Sequence, residues 1–217
     1  MAATIIGLAQ TKGGVGKTTT ALNLAAELVR RGRTVAILDA DPAGHAASIA
    51  EDGRLSYSVT PHLLETADEA DVSAWVRAVR GRPEDFVLID APGAMGAAFG
   101  ATIAVAHIVL VPSGATVLDV RGAAETVAAI RKNRRAAKRD RPDILIVPSR
   151  IDRRTGAGRD VVTTLAALTE PVAPAISYRA VVADSLAVGE SVPVDGPSAA
   201  EFASLADAVL TRLGDQE

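Results

Sequence analysis

The stretch Lys12-Gly13-Gly14-Val15-Gly16-Lys17-Thr18-Thr19 directly follows the apolar run Ile5-Ile6-Gly7-Leu8-Ala9. Glycines at this spacing let successive backbone N–H groups turn toward one anion at the start of a helix. Lys17 adds a positive charge for the β- and γ-phosphates of a nucleotide, and the Thr18 hydroxyl is a ligand for Mg²⁺. The sequence therefore predicts a strand, a phosphate-binding loop and a helix, in that order. The alternative is a glycine-rich turn before an amphipathic helix.

The loop departs from the usual pattern, because Thr11 stands where a glycine is expected and Lys12 adds a second lysine. One nucleotide and one subunit do not easily explain two lysines so close together, so we expect Lys12 to serve another active site. A solvated lysine beside the loop is the alternative. The motif resembles the deviant Walker A of the ParA/MinD ATPases, in which the first lysine crosses a dimer interface to the partner's ATP. The resemblance implies that residues 12–19 bind nucleotide and that Lys12 and Lys17 act in catalysis.

Composition favours an α/β fold in a single domain over residues 1–217. The chain is 48% hydrophobic but only 3% aromatic, and a core of Ala, Val, Leu and Ile suits buried parallel strands covered by helices. Since there is no cysteine, disulfides, thiolate zinc sites and iron–sulfur clusters are excluded. This also excludes the nitrogenase iron protein, which shares the loop.

Strand-like and helical segments alternate along the chain, which predicts a doubly wound, mostly parallel sheet of the P-loop NTPase kind, flanked by helices. Helices are predicted at Ala21–Arg31 and Val117–Lys138, with a further helix at the end of the chain. The predicted strands are Thr4–Ala9, Thr34–Asp39, Phe86–Asp90, His107–Pro112, Ile144–Pro148 and Val172–Ile176.

Aspartates stand at the ends of two other predicted strands. Asp90 follows four apolar residues and precedes a turn, as a Walker B aspartate does, so we expect it to reach Mg²⁺ directly or through water. Asp39 and Asp41 resemble the Asp-x-Asp-Pro switch of the ParA/MinD family. That resemblance implies that Asp41 orients the attacking water and that Asp39 supports the metal. Ordinary turn chemistry is the alternative for each aspartate.

Basic residues are concentrated between residues 131 and 159, where eleven Lys and Arg stand against three Asp in a chain of net charge −3. A helical stripe of such residues suits the DNA backbone, bound without sequence preference. A solvated helix end is the alternative. The predicted DNA-binding residues are Arg131, Arg134, Arg135, Lys138, Arg139 and, after a later predicted strand, Arg179.

The C-terminal segment argues against membrane attachment. A membrane-bound helix needs a basic polar face, whereas here acidic residues outnumber basic ones. We therefore expect the apolar face of this segment to pack on the domain. That face comprises Phe202, Leu205, Val209, Leu210 and Leu213; the charged residues are Glu201, Asp207, Asp215 and Glu217 against Arg212.

The resemblance is to small ParA-type partition ATPases without an N-terminal DNA-reading domain. It implies an ATP-dependent homodimer that binds DNA non-specifically, with ATP and Mg²⁺ as cofactors. Hydrolysis would be slow, since no arginine finger is evident in cis, and a ParB-like adaptor would stimulate it. A cytoplasmic, nucleoid-associated protein is expected. The alternatives are positioning of another cargo, such as a chemotaxis cluster, a MinD-like membrane ATPase, and a small-molecule kinase or ligase.

Overall fold

The computed structural model describes residues 2–51 and 53–214. Fourteen helices and strands are present in this part of the chain. The strands are β1 (Thr4–Leu8), β2 (Val35–Asp39), β3 (Ser58–Pro61), β4 (Phe86–Asp90), β5 (Ile108–Ser113) and β6 (Asp143–Pro148). The helices are α1 (Lys17–Arg30), α2 (His45–Ala50), α3 (Glu69–Arg80), α4 (Ala97–Val105), α5 (Val117–Ala137), α6 (Gly156–Ala166), α7 (Ala180–Ala187) and α8 (Pro197–Leu213).

The six strands form one parallel sheet in the order β3-β2-β4-β1-β5-β6. Side chains alternate between its two faces: Ile5 and Ala9 point into one core, and Ile6 and Leu8 into the other. The first core is covered by α3, α4, α5 and α6, and the second by α1, α2, α7 and α8. The prediction of a doubly wound parallel sheet flanked by helices is therefore confirmed.

One strand prediction was wrong, and one strand was missed. Val172–Ile176 is not a strand of the sheet; the chain near it makes only two isolated bridges, Ile146 with Val172 and Ile151 with Ser177. Pro171 and Pro174 lack the N–H groups that a continuous ladder needs. Conversely, β3 was not predicted, because this short edge strand is mostly exposed and carries little apolar patterning.

The C-terminal helix packs on the domain, as predicted. Along α8, Phe202, Leu205 and Val209 are fully buried against the core that α1 also covers. Asp215 and Glu217, which contributed to the argument against a membrane helix, lie outside the described residues. Within residues 2–51 and 53–214, no helix is long and apolar enough to cross a bilayer.

Candidate nucleotide-binding site

The phosphate-binding loop lies at the carboxyl end of β1, between the ends of β4 and β5. Gly14 and Gly16 adopt left-handed backbone conformations, with φ of 75° and 98°, which favour glycine. A Cβ atom on Gly16 would also lie only 2.5 Å from the Ser149 hydroxyl oxygen. Gly16 is therefore required both by its backbone conformation and by the close approach of the loop that follows β6.

Lys17, the first residue of α1, is 7% exposed and points into the pocket. Its ammonium donates to the Lys12 carbonyl at 3.4 Å and forms no ion pair within the described part of the chain. Burial lowers the pKa of Lys17, while the charges of Asp90 and Asp41 oppose that shift. A buried cation without a paired carboxylate suits an anionic ligand.

The loop after β4 closes over this lysine. A Cβ atom on Gly93 would lie 3.3 Å from the Cα of Gly13 and 3.4 Å from the Lys17 ammonium nitrogen. A side chain here would therefore press on the phosphate-binding loop itself. The sequence Ala91-Pro92-Gly93 thus shapes the pocket as well as ending the strand.

Asp90 lies beside the Thr18 hydroxyl, which donates to the Asp90 Oδ2 atom at 2.6 Å. The other carboxylate oxygen of Asp90 is buried and has no hydrogen-bond partner among the residues that the structure describes. Burial raises the pKa of Asp90 to about 7; the hydrogen bond from Thr18 opposes this shift, and the charge of Asp39 adds to it. An orphaned carboxylate oxygen next to a threonine hydroxyl fits the oxygen ligands that Mg²⁺ prefers.

The described residues contain no cluster of three or more His, Asp or Glu side chains able to hold a metal. This also fits Mg²⁺, because that ion is commonly held by one or two protein ligands, with water and substrate phosphates completing its coordination. Thr18 and Asp90 would hold the metal.

Asp39 and Asp41 lie in different environments. Asp39 is paired in register with Asp90 on the neighbouring strand. The buried carboxylate of Asp39 accepts hydrogen bonds from the Asp41 N–H at 3.2 Å and the Ala47 N–H at 2.9 Å. Asp41 lines the pocket and accepts from the Ala43 N–H at 3.0 Å. Asp39 thus holds the loop after β2 in place, whereas Asp41 remains accessible to a ligand.

Two further loops line the pocket. Ser149 and Arg150 follow β6, and the segment Ile176–Arg179 precedes α7; both border the same cavity, which Val182 of α7 also lines. Arg150 donates to the Gly14 carbonyl. His45 also lines the pocket, although its isolated position in the sequence gave no signal of this.

Lys12 is placed differently from Lys17. Its ammonium forms an ion pair with Asp119, near the start of α5, and is not among the groups lining the pocket. Burial opposes ionisation of Asp119, but hydrogen bonds from Lys12 and Thr116 hold its pKa below the usual value. Asp119 was not predicted from the sequence; its position three residues after Thr116, as in a capping box, was the available signal.

The predicted DNA-binding residues divide into two places. Five lie at the carboxyl end of α5, at the opposite edge of the sheet from the pocket, because α5 runs back from the end of β5 to the start of β6. Arg179 instead lines the pocket and donates to Glu201 at 3.0 Å. The structure therefore does not bring Arg179 together with the other five.

Contacts also distinguish the α5 residues from one another. Arg131 donates to Glu170 at 2.7 Å, Arg134 to the Pro142 carbonyl at 2.6 Å and Arg139 to Asn133 at 3.0 Å. Arg135 and Lys138 are exposed and have no ion pair or hydrogen bond from their side chains to any described residue. The neighbouring Lys132, which was not predicted, is exposed and unpaired in the same way.

Residues 6–192 match the model of the CobQ/CobB/MinD/ParA nucleotide-binding domain. The chain is 36% identical over 154 residues to the chromosome-partitioning ATPase Soj of Thermus thermophilus, an alignment that covers 59% of this chain and 62% of that protein. It is 37% identical over 130 residues to the maintenance of carboxysome distribution protein A of Gloeobacter kilaueensis, covering 57% and 55%. The matched chain thus spans under two thirds of either relative.

Solved structures share the fold over nearly the whole chain. The ATP complex of a variant of McdA from Cyanothece has a TM-score of 0.78 at 18% identity and covers 99% of this chain and 98% of that one. The septum site-determining protein MinD of Pyrococcus horikoshii, complexed with Mg-ADP, has a TM-score of 0.76 at 17% identity and covers 98% of each chain. At such identities, the likeness concerns the fold.

Proposed function

Because this chain belongs to the CobQ/CobB/MinD/ParA nucleotide-binding family, we propose that it is a ParA-type ATPase whose two copies close around ATP. The closed dimer binds DNA without sequence preference, and hydrolysis stimulated by an adaptor releases it. Through this cycle the protein segregates or positions plasmid or chromosomal DNA. It acts in the cytoplasm, in association with the nucleoid.

The observation that carries this proposal is the placement of the two lysines. Lys17 already points into the pocket, whereas the Lys12 ammonium lies outside it, on a side chain that is 39% exposed. A single chain therefore uses only one of its two loop lysines at its own phosphate site. The other lies outside that site, at the edge of the sheet that a second copy would approach.

Exposed apolar side chains at that edge support a dimer. Val117 and Leu118, in the first turn of α5, are 83% and 63% exposed, and Met95, after β4, is 58% exposed. These segments follow the strands on either side of β1 and so flank the phosphate-binding loop. A second copy would cover them while receiving Lys12, in the isologous way that a two-fold dimer requires.

Within each pocket, the chain's own residues bind and orient Mg-ATP. Backbone N–H groups of residues 13–19 and the Lys17 ammonium would bind the phosphates. Thr18 and Asp90 would hold Mg²⁺, and Asp39 would support that site. The metal supplies Lewis-acid stabilisation of charge on the phosphate oxygens. Asp41 orients the attacking water and accepts its proton, and the partner's Lys12 adds a cation, a role akin to that of an arginine finger.

Exposed cations at the far edge of the sheet support the DNA-binding part of the proposal. Lys132, Arg135 and Lys138 are free of intramolecular partners among the described residues, so they could contact phosphates without breaking existing ion pairs. Arg131, Arg134 and Arg139 would contribute mainly to the local positive potential. The contribution proposed for Arg179 is separate, since it lies beside the nucleotide.

Positioning of a cargo other than DNA is the second candidate, because a relative of similar identity is named for carboxysome distribution. Both functions use the same ATP-dependent dimer and differ in the adaptor. A MinD-like membrane ATPase is less supported, since the apolar face of α8 is buried in the domain. A small-molecule kinase or ligase would need a second polar pocket, which the described residues do not reveal at the nucleotide site.

Two measurements test the proposal together. Sedimentation velocity is compared with Mg-ATP, with Mg-ADP and without nucleotide. It should show a dimer with Mg-ATP and a monomer in the other two conditions. Co-sedimentation with random-sequence DNA should show retention with Mg-ATP only, weakened steeply by salt. A chain that stays monomeric with saturating Mg-ATP would refute the dimer, while ATP-independent DNA binding would refute the switch.

A further inference from the structure

The ion pair between Lys12 and Asp119 joins two residues 107 positions apart. The Asp119 side chain is 12% exposed and that of Lys12 is 39% exposed. The Lys12 side chain makes no other hydrogen bond or ion pair with the described residues. The ammonium that would enter a partner's pocket is thus held by its own chain.

Neighbouring contacts show that this whole segment is docked on α5. The Gln10 side chain donates to the Asp119 carbonyl at 3.1 Å and accepts from the Lys12 N–H at 2.6 Å. The Thr11 N–H donates to the Thr126 hydroxyl at 3.1 Å. Because a Cβ atom on Gly122 would lie 2.7 Å from the Gln10 amide oxygen, only glycine permits so close an approach. The storage position of Lys12 is therefore built by several residues.

Asp119 uses its two carboxylate oxygens for different contacts. Its Oδ2 atom accepts from the Thr116 N–H at 3.2 Å, as one half of the capping box that begins α5. Its Oδ1 atom accepts from the Lys12 ammonium. The capping contact uses only Oδ2, and the charge also favours the N-terminus of α5, so Oδ1 remains available to hold the Lys12 ammonium.

We propose that Asp119 stores the Lys12 ammonium in the monomer and thereby restrains association of two copies, an inference that rests on the proposed function. Lys12 must leave Asp119 before it can enter the partner's pocket. A two-fold dimer breaks this contact twice. Since a partly exposed ion pair contributes a factor of about two to five, two of them together weaken the dimer by a factor of about four to 25, on the order of tenfold.

The test compares dimerisation constants at saturating Mg-ATP for the parent protein, Asp119→Asn and Thr116→Ala. Asparagine keeps an acceptor for the Thr116 N–H but removes the charge that holds Lys12. We expect Asp119→Asn to dimerise at about tenfold lower protein concentration. Thr116→Ala, which removes part of the helix cap but leaves the ion pair, should not tighten the dimer. Equal or weaker association of Asp119→Asn would overturn the proposal.

Failure of the proposed function gives a different result. In that case neither the parent protein nor Asp119→Asn would dimerise with Mg-ATP, and this inference would fall with it. If Asp119→Asn dimerises and the parent protein does not, both the proposed function and this inference are supported. That result would show that the Lys12–Asp119 contact prevents dimerisation of the parent protein.

A double-mutant cycle without nucleotide tests the contact itself. Urea unfolding of Lys12→Ala, Asp119→Asn and the double variant should show coupling, so that the double variant loses less stability than the two single losses combined. The coupling should correspond to a twofold to fivefold factor in the unfolding equilibrium constant. Purely additive losses would show that the pair does not form and would overturn the storage role.

Discussion

Lys17 at the carboxyl edge of the sheet and the paired arginines at the other edge are in opposite situations. Among the described residues, Lys17 is buried without an ion pair, and the Oδ1 atom of Asp90 has no hydrogen-bond partner. At the other edge, Arg131 and Arg134 bind acceptors of their own chain. Unpaired buried charges are costly in a folded protein, so their persistence indicates a ligand, whereas a paired surface arginine needs none.

The largest expected effect is on the rate of ATP hydrolysis when Lys17 is replaced. Lys17→Ala should lower ATP hydrolysis by about 100- to 1000-fold, because it removes a preorganised cation from the phosphates. Arg131→Ala, the matched loss of a cation at the other edge, should leave the rate unchanged. Phosphate release at saturating Mg-ATP measures both, and a comparable loss in Arg131→Ala would contradict the distinction.

Asp41→Asn should separate binding from chemistry within the pocket. We expect hydrolysis to fall about 100-fold, since a positioned base is lost, while nucleotide affinity changes little. Affinity is measured with a fluorescent ATP analogue and the rate by phosphate release. Asp160→Asn, on the exposed face of α6, serves as the control. Weakened binding with an unchanged rate would assign Asp41 to binding instead.

The raised pKa of Asp90 predicts that stability depends on pH in a way that surface carboxylates should not cause. The pKa of Asp90 is raised to about 7 from an ordinary value of about 4, so the folded protein binds the proton more tightly than the unfolded chain does. Without nucleotide or metal, the contribution of Asp90 to stability should therefore be greatest below about pH 4 and should fall as the pH rises to about 7.

A difference of three pKa units between the folded and unfolded states corresponds to about 4 kcal/mol in the free energy of unfolding. Because water can enter the open pocket, we expect the free energy of unfolding to fall by only about 2 kcal/mol. Urea unfolding across this pH range measures it. Asp90→Asn should abolish this contribution, and a slope that persists undiminished in the variant would assign it to other groups.

The smallest effect concerns the α5 cations. Lys132→Glu with Arg135→Glu should weaken retention on DNA about tenfold at physiological salt, because two phosphate contacts per protomer are lost. Nucleotide affinity should stay unchanged. Replacing the paired residues instead, Arg131→Gln with Arg134→Gln, should affect DNA less but lower stability. Unaltered DNA binding by the first variant would exclude the end of α5 as the contact surface.

Prediction from sequence succeeded for the fold class and for elements that contiguous residues encode. The phosphate-binding loop could be located because glycine spacing, Lys17 and Thr18 act through local backbone geometry. Asp90 could be located because apolar strands end at one edge of a parallel sheet. The same reasoning failed at Val172–Ile176, since prolines interrupt its pairing, and at the short exposed strand β3.

The sequence alone thus determined the fold class, the phosphate-binding loop and the aspartates around it, because each is encoded by neighbouring residues and a simple periodicity. Only the tertiary structure decided which charges are free and which are paired. Lys12 meets Asp119 across 107 positions, and Arg131 meets Glu170 across 39. Such pairs arise from how helices pack on the sheet, and no local pattern in the chain records them.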